Sequence, residues 1–157
     1  MSDRNEASVE LAAPPEAVFP LIVDPAERLR WIDGLVEAEE TGPGSYREAI
    51  EQHGIRVETR VRTIHSEPPG LVEARVEGRG IEATVRNVLE PTGDGGTRLT
   101  VTVETRYRGL AARLVAPVIG RRAQASLERS LARLEQLVES ETTGAEHAPQ
   151  EPEAEHA

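Results

Sequence analysis

From Leu127 onward, bulky apolar residues recur at Leu127, Leu131, Leu134 and Val138, four, three and four positions apart. That spacing puts all of them on one face of a helix. Traced back at the same period, the face continues through Ala123, Gly120, Ala116 and Ala112. One end of the face is therefore bulky and the other small. Laid across a sheet, such a helix seals the contact at its bulky end and leaves space at the other. The expectation is a cavity with one open mouth. Pro117 interrupts the region between Gly109 and Ser140. Proline fits a helix start better than its middle. It is therefore expected to divide the region into a short piece and the helix proper.

The rest of the chain reads mainly with period two. Ala7 to Ala12 alternate weakly and predict a first strand. Pro14-Pro15-Glu16 opens a short helix with Val18, Leu21 and Ile22 on its apolar side and Pro20 limiting its length. Asp24-Pro25 is a second start, an N-cap followed by a proline at the first helical position. That helix is brief and ends near Trp31 and Gly34. Strands are predicted over Leu35–Glu40 and Ser45–His53. In the next, Ile55, Val57, Thr59, Val61, Thr63 and His65 share one face and Arg56, Glu58, Arg60 and Arg62 the other. Val72, Ala74 and Val76 follow, then Ile81, Ala83, Val85, Asn87 and Leu89, then Leu99, Val101, Val103, Thr105 and Tyr107. Short Gly- and Pro-containing connections favour antiparallel neighbours. One apolar and one charged face per strand describe a sheet with one solvated side. The fold class is α+β: a curved antiparallel sheet of about seven strands, two short helices, and a long C-terminal helix over a cavity.

At 157 residues the chain is long enough for one domain with a sizeable core, set at residues 6–140. Residues 141–157 carry Glu141, Glu146, Glu151, Glu153 and Glu155 without an arginine and are expected to form a disordered acidic tail. The polar start resembles no signal peptide and no run approaches a membrane span, so a cytoplasmic location is expected. There is no cysteine, and every basic residue is arginine, which removes thiolate, Schiff-base and P-loop lysine chemistry. The tail histidines, His147 and His156, make no metal site. The net charge of −10 argues against general nucleic-acid binding. Within it, residues 106–133 hold seven arginines (Arg106, Arg108, Arg113, Arg121, Arg122, Arg129 and Arg133) against Glu128 alone. These either pair with Glu37, Glu39, Glu40, Glu48 and Glu51, or meet anionic headgroups or a ligand carboxylate at the mouth. Arg113, Arg121 and Arg122 are the candidates for transient contact with an anionic membrane surface.

Several stretches carry a family resemblance. Ala12-Ala13-Pro14-Pro15-Glu16-Ala17-Val18-Phe19 resembles the entry into a first helix. Asp24 through Trp31, then Asp33-Gly34, resembles a D-to-W-to-G segment. Glu90-Pro91 with Gly95-Gly96-Thr97-Arg98 resembles a last hairpin. With the order of elements, these resemble the helix-grip fold of the START and birch-pollen-allergen-like superfamily (SRPBCC), in its bacterial polyketide cyclase/dehydrase and lipid-transport branch. The resemblance covers about residues 6–140. It implies a cofactor-free protein that binds, and in some members transports, a small hydrophobic or amphipathic ligand such as a lipid or polyketide.

The candidate ligand-binding residues are Trp31, Thr63, His65, Asn87, Thr105, Tyr107, Ala116, Gly120 and Ala123. The polar ones come from the apolar face of the sheet, the small ones from the terminal helix. A cyclase or dehydratase would need a base near an acidic proton and a group to hold the enolate. His65 with Tyr107 is the only pair that fits those roles. No Ser-His-Asp spacing, HExxH, phosphate loop or metal cluster appears in the sequence. A non-catalytic interaction module with a solid core is the remaining alternative.

Overall fold

The computed structural model describes residues 2–147. The elements run β1 (Ser2–Leu11), α1 (Pro15–Val23), α2 (Pro25–Arg28), β2 (Leu35–Gly42), β3 (Ser45–Gln52), β4 (Ile55–Glu67), β5 (Leu71–Gly78), β6 (Ile81–Pro91), β7 (Thr97–Tyr107) and α3 (Leu110–His147). The strands form one antiparallel sheet in the order β1-β7-β6-β5-β4-β3-β2. Sequential strands pair as hairpins, except that β1 lies beside β7 at the far edge from β2. The β1-to-β2 connection must therefore cross the whole sheet, and α1 and α2 make that crossing over its inner face.

Their sequence explains why they do. Pro15 sits at the start of α1, and Val18, Leu21 and Ile22 are buried. Asp24 caps α2, its side chain accepting from the Ala26 N–H at 2.9 Å. Gly34 ends the crossing at φ +78°, where a Cβ would lie 2.8 Å from Gln52 Cγ. Only glycine takes that backbone with that neighbour at low cost.

The core gathers at the bulky end of α3. Leu131, Leu134 and Val138 pack with Leu11, Val18, Leu21, Ile22, Trp31, Val72, Leu89, Leu99 and Val101. Cross-strand register supplies the sheet side, with Val9 opposite Leu99 and Leu89 opposite Leu99.

Four expectations change. The terminal helix is continuous from Leu110 to His147, with Pro117 inside it. Pro117 is exposed within that helix, and its missing N–H removes one helical bond without ending the helix. The expected tail begins as helix: Glu141 pairs with Arg30 at 2.7 Å, and residues 148–157 lie outside the described residues. His65 does not face inward. The register shifts between Thr63 and His65, so Ile64 is the extra residue and His65 lands opposite Glu73 on the outer face. Finally, the arginines of α3 do not reach the acids expected for them. Glu37 and Glu51 pair with Arg56, Glu39 with Arg47, and Glu48 with Arg28. Within the basic stretch, Arg129 and Arg133 meet Asp33, and Arg108 meets Glu82.

Candidate ligand-binding hollow

Two polar junctions hold α3 across the inner face. On the β1 side, the Asn5 amide donates to Gly120 O at 3.2 Å and Gln124 Oε1 at 3.1 Å, and Gln124 Nε2 donates to Glu6 O at 3.1 Å. The approach is tight: a Cβ on Gly120 would lie 2.0 Å from an Asp3 carboxylate oxygen. On the other side Asp33 is the hub. Its carboxylate accepts from Gln52 at 2.9 Å, Arg129 at 3.0 Å and Ser126 at 3.2 Å, while its N–H donates to Ser130 Oγ at 2.8 Å. Partial burial pushes the Asp33 carboxyl upward, but Arg129, Ser126 and Arg133 outweigh it and hold it below the ordinary carboxylate range.

As a whole α3 packs on β1 and, more lightly, on β7, and its first turn meets the β5–β6 connection at Gly80. The inner face of β4 to β6 beneath it is left partly uncovered. Val57, on the same face as buried Val61, is 41% exposed, and Thr59, Ala74, Val76, Ile81 and Val85 are half-buried. This uncovered strip of the inner face, beside α3 and ending at the core, is the candidate hollow.

Polar groups mark its floor. Asn87, Thr105 and Tyr107 are buried on the inner face. Ala83 lies opposite Thr105, and Ile81 opposite Tyr107. Burial, and then the Asp3 carboxylate, push the Tyr107 phenol above its usual range. Its hydroxyl therefore stays a proton donor at neutral pH.

A second cleft of about 360 Å³ lies between α1 and the sheet, lined among others by Phe19, Val23, Tyr46, Thr63, Ser66 and Val72. Ser66 points inward because the Ile64 bulge reverses the alternation. Beside it Arg28 forks onto Glu48, at 2.7 and 3.2 Å, and also donates to Ile22 O at 3.0 Å. The guanidinium lies 5.2 Å from the Tyr46 ring centroid. A larger depression, about 660 Å³, lies mostly on the outer face around Ala49. Its rim of Glu37, Arg47, Arg56 and Glu58 is already internally paired, so it is a poor match for an apolar ligand.

The candidate residues thus separate. Thr105 and Tyr107 are buried near the end of β7, and Ala116 and Gly120 are buried on α3. Asn87 lies between Val72 and Val101 at mid-sheet, and Thr63 lines the α1 cleft. Gly120 accommodates Asp3 rather than leaving space, and Ala123 is half-buried. Trp31 is core, its indole N–H donating to Leu21 O at 2.8 Å. His65 pairs with Glu67 outside the sheet, so the sheet separates it from Tyr107. Asp3, Asn5, Arg28 and Ser66 belong to these sites without being singled out in the sequence, and Glu48 is singled out there only as an ion-pair partner for other arginines. Among the described residues no group of three His, Asp or Glu could hold a metal, and no helix is long and apolar enough to cross a membrane.

A family model described as polyketide cyclase / dehydrase and lipid transport matches residues 3–139. The chain belongs to this family. With it comes the START and birch-pollen-allergen-like superfamily, whose helix-grip fold is the architecture described above. Among solved structures, a conserved protein from Geobacillus kaustophilus is 22% identical, with a TM-score of 0.74, over 89% of this chain and 96% of that one. A START superfamily protein from Mycobacterium smegmatis is 18% identical at a TM-score of 0.74, over 87% and 97% of the two chains. Ara h 8.0201 is 17% identical at 0.63, over 89% and 99%. At these identities the structures speak for the fold. No curated protein matches the sequence.

Proposed function

We propose that the protein binds a small hydrophobic or amphipathic molecule, such as a lipid or polyketide, in the hollow between α3 and β4–β7. The supporting observation is the uncovered inner face: apolar side chains half-exposed beneath a helix pinned on both flanks. Burial of a ligand there removes apolar surface from water at about 25 cal/mol per Å². Asn87, Thr105 and Tyr107, polar side chains among the inward-facing residues of β6 and β7, supply orientation. Delivery to or from an anionic surface would use Arg113, Arg121 and Arg122.

A second reading, cyclase or dehydratase chemistry, must be rebuilt around Asp3 and Tyr107. Asp3 influences the Tyr107 phenol and lies opposite Thr105. A carboxylate base beside a phenolic donor suits proton abstraction next to a carbonyl. Native mass spectrometry of protein purified without detergent, followed by denaturing extraction, tests the binding reading. Co-purified lipid or polyketide is the expected result. An empty protein that also refuses fatty acids and a hydrophobic dye would refute it.

A further inference from the structure

The first turns of α3 leave a row of large apolar side chains in water. Leu110 is 75% exposed, Leu114 74% and Val118 43%. They lie four residues apart, so they form one stripe on the helix, while Ala116 and Gly120 on the opposite side are buried against the body of the protein. Helical geometry sets Arg113 on one flank of the stripe and Arg122 on the other, with Arg121 continuing it. All three arginines are exposed, and among the described residues no carboxylate pairs with them, although Arg108, Arg129 and Arg133 in the same stretch are paired. No acid occurs between Glu104 and Glu128, in a chain of net charge −10.

The stripe also has a definite place in the fold. Arg108 N–H donates to Gly80 O at 2.9 Å, and Gly80 lies against Ala112. This end of α3 therefore sits at the same end of the sheet as Ile55 and Val57, which are 59% and 41% exposed on the inner face. The apolar stripe and its cationic flanks thus lie at the same end of the sheet as the uncovered inner face of β4.

From this we infer that the first three turns of α3 form an interfacial anchor that docks on an anionic lipid bilayer. Leu110, Leu114 and Val118 enter the headgroup boundary, and Arg113, Arg121 and Arg122 meet lipid phosphates. An apolar stripe between cations is the pattern of helices that lie in a membrane surface. The remaining negative charge of the molecule is screened beyond about 8 Å at physiological salt, so the local patch governs docking. The inference rests on the binding reading, because docking brings the hollow's open end to a source of apolar ligand.

Flotation of the full chain with vesicles tests it. Binding is expected to vesicles of phosphatidylcholine mixed with phosphatidylglycerol, to be weak on phosphatidylcholine alone, and to fall in high salt. Neutralising each arginine to glutamine should weaken partition roughly fivefold. Leu114→Glu should abolish it, while dye uptake in solution and the thermal midpoint stay unchanged, because Leu114 faces away from the hollow. Absence of binding, equal binding to neutral vesicles, or insensitivity to these variants would overturn the anchor. So would concentration-dependent self-association abolished by Leu114→Glu, which would assign the stripe to a second copy. Intact dye uptake alongside any of these results would leave the ligand-binding reading standing.

Discussion

Two carboxylates, Glu48 and Asp33, tie helices to the rest of the fold through arginine. Glu48 is buried on the inner face of β3 with 5% of its side chain exposed, and Arg28 with 16%. Desolvating both charges is compensated only while the fork between them is intact. Glu48→Gln should therefore cost about 3–5 kcal/mol in urea unfolding, as for other broken buried pairs. The double variant Arg28→Met with Glu48→Leu should recover most of that loss, and a loss equal to the sum of the singles would contradict the coupling. Asp33 makes a different forecast. Its folded pKa is depressed, so the unfolded chain binds the proton more readily. Its stabilising contribution is full above the unfolded value of about 3.9 and is lost as pH falls through the folded one. Asp33→Asn should lower stability at neutral pH and flatten its acid dependence below about pH 4. A parallel acid slope in both proteins would mean that other carboxylates carry it.

At the scale of elements, the long periodic segments were legible and the local irregularities were not. The alternation of β5, β6 and β7 and the bulky face of α3 follow from period two and period 3.6, which any burial on one side imposes. The bulge at Ile64 leaves no mark on the alternation of Ile55 through His65, so His65 was assigned to the wrong face. In β3 the inward set is Tyr46, Glu48, Ile50 and Gln52, and two members of that set are polar. A pattern based on apolarity hides such a strand face. Asn5 and Asp3 were missed because β1 begins at Ser2, ahead of the first alternating residues. The small residues of α3 were recognised, but Gly120 serves the close approach of β1 and not empty space. Pro117 is the element-scale surprise, and it too can be tested. It lies exposed in a continuous helix, where proline is about 3 kcal/mol less favourable than alanine. Pro117→Ala should raise stability by about 1–3 kcal/mol, measured by thermal or urea unfolding. A decrease would mean that the ring is part of the packing after all.

For the whole molecule, the division of labour along α3 decides what can be changed without unfolding it. The C-terminal half is core: Leu134 has no exposed surface, and truncation there costs stability directly. The N-terminal half is held by Asn5 and Gln124 from one side and by Asp33 and Gln52 from the other, and it roofs a floor that it does not fill. Filling that floor should therefore separate function from stability. Val57 sits on it, inward-facing and 41% exposed, opposite Ile50 on β3. Val57→Trp puts a large apolar side chain where the ligand is proposed to lie. Uptake of a hydrophobic dye or fatty acid should be lost, and the unfolding free energy should change by less than about 1 kcal/mol, because the added volume enters open space and not a packed interior. In the unaltered protein, ligand at one hundred times its dissociation constant should add about 2.7 kcal/mol of stability, and that increment should vanish in the variant. Undiminished uptake by Val57→Trp would move the ligand to the cleft lined by Phe19, Tyr46 and Thr63. Loss of several kcal/mol would instead mean that α3 closes on the sheet more tightly than its two junctions require.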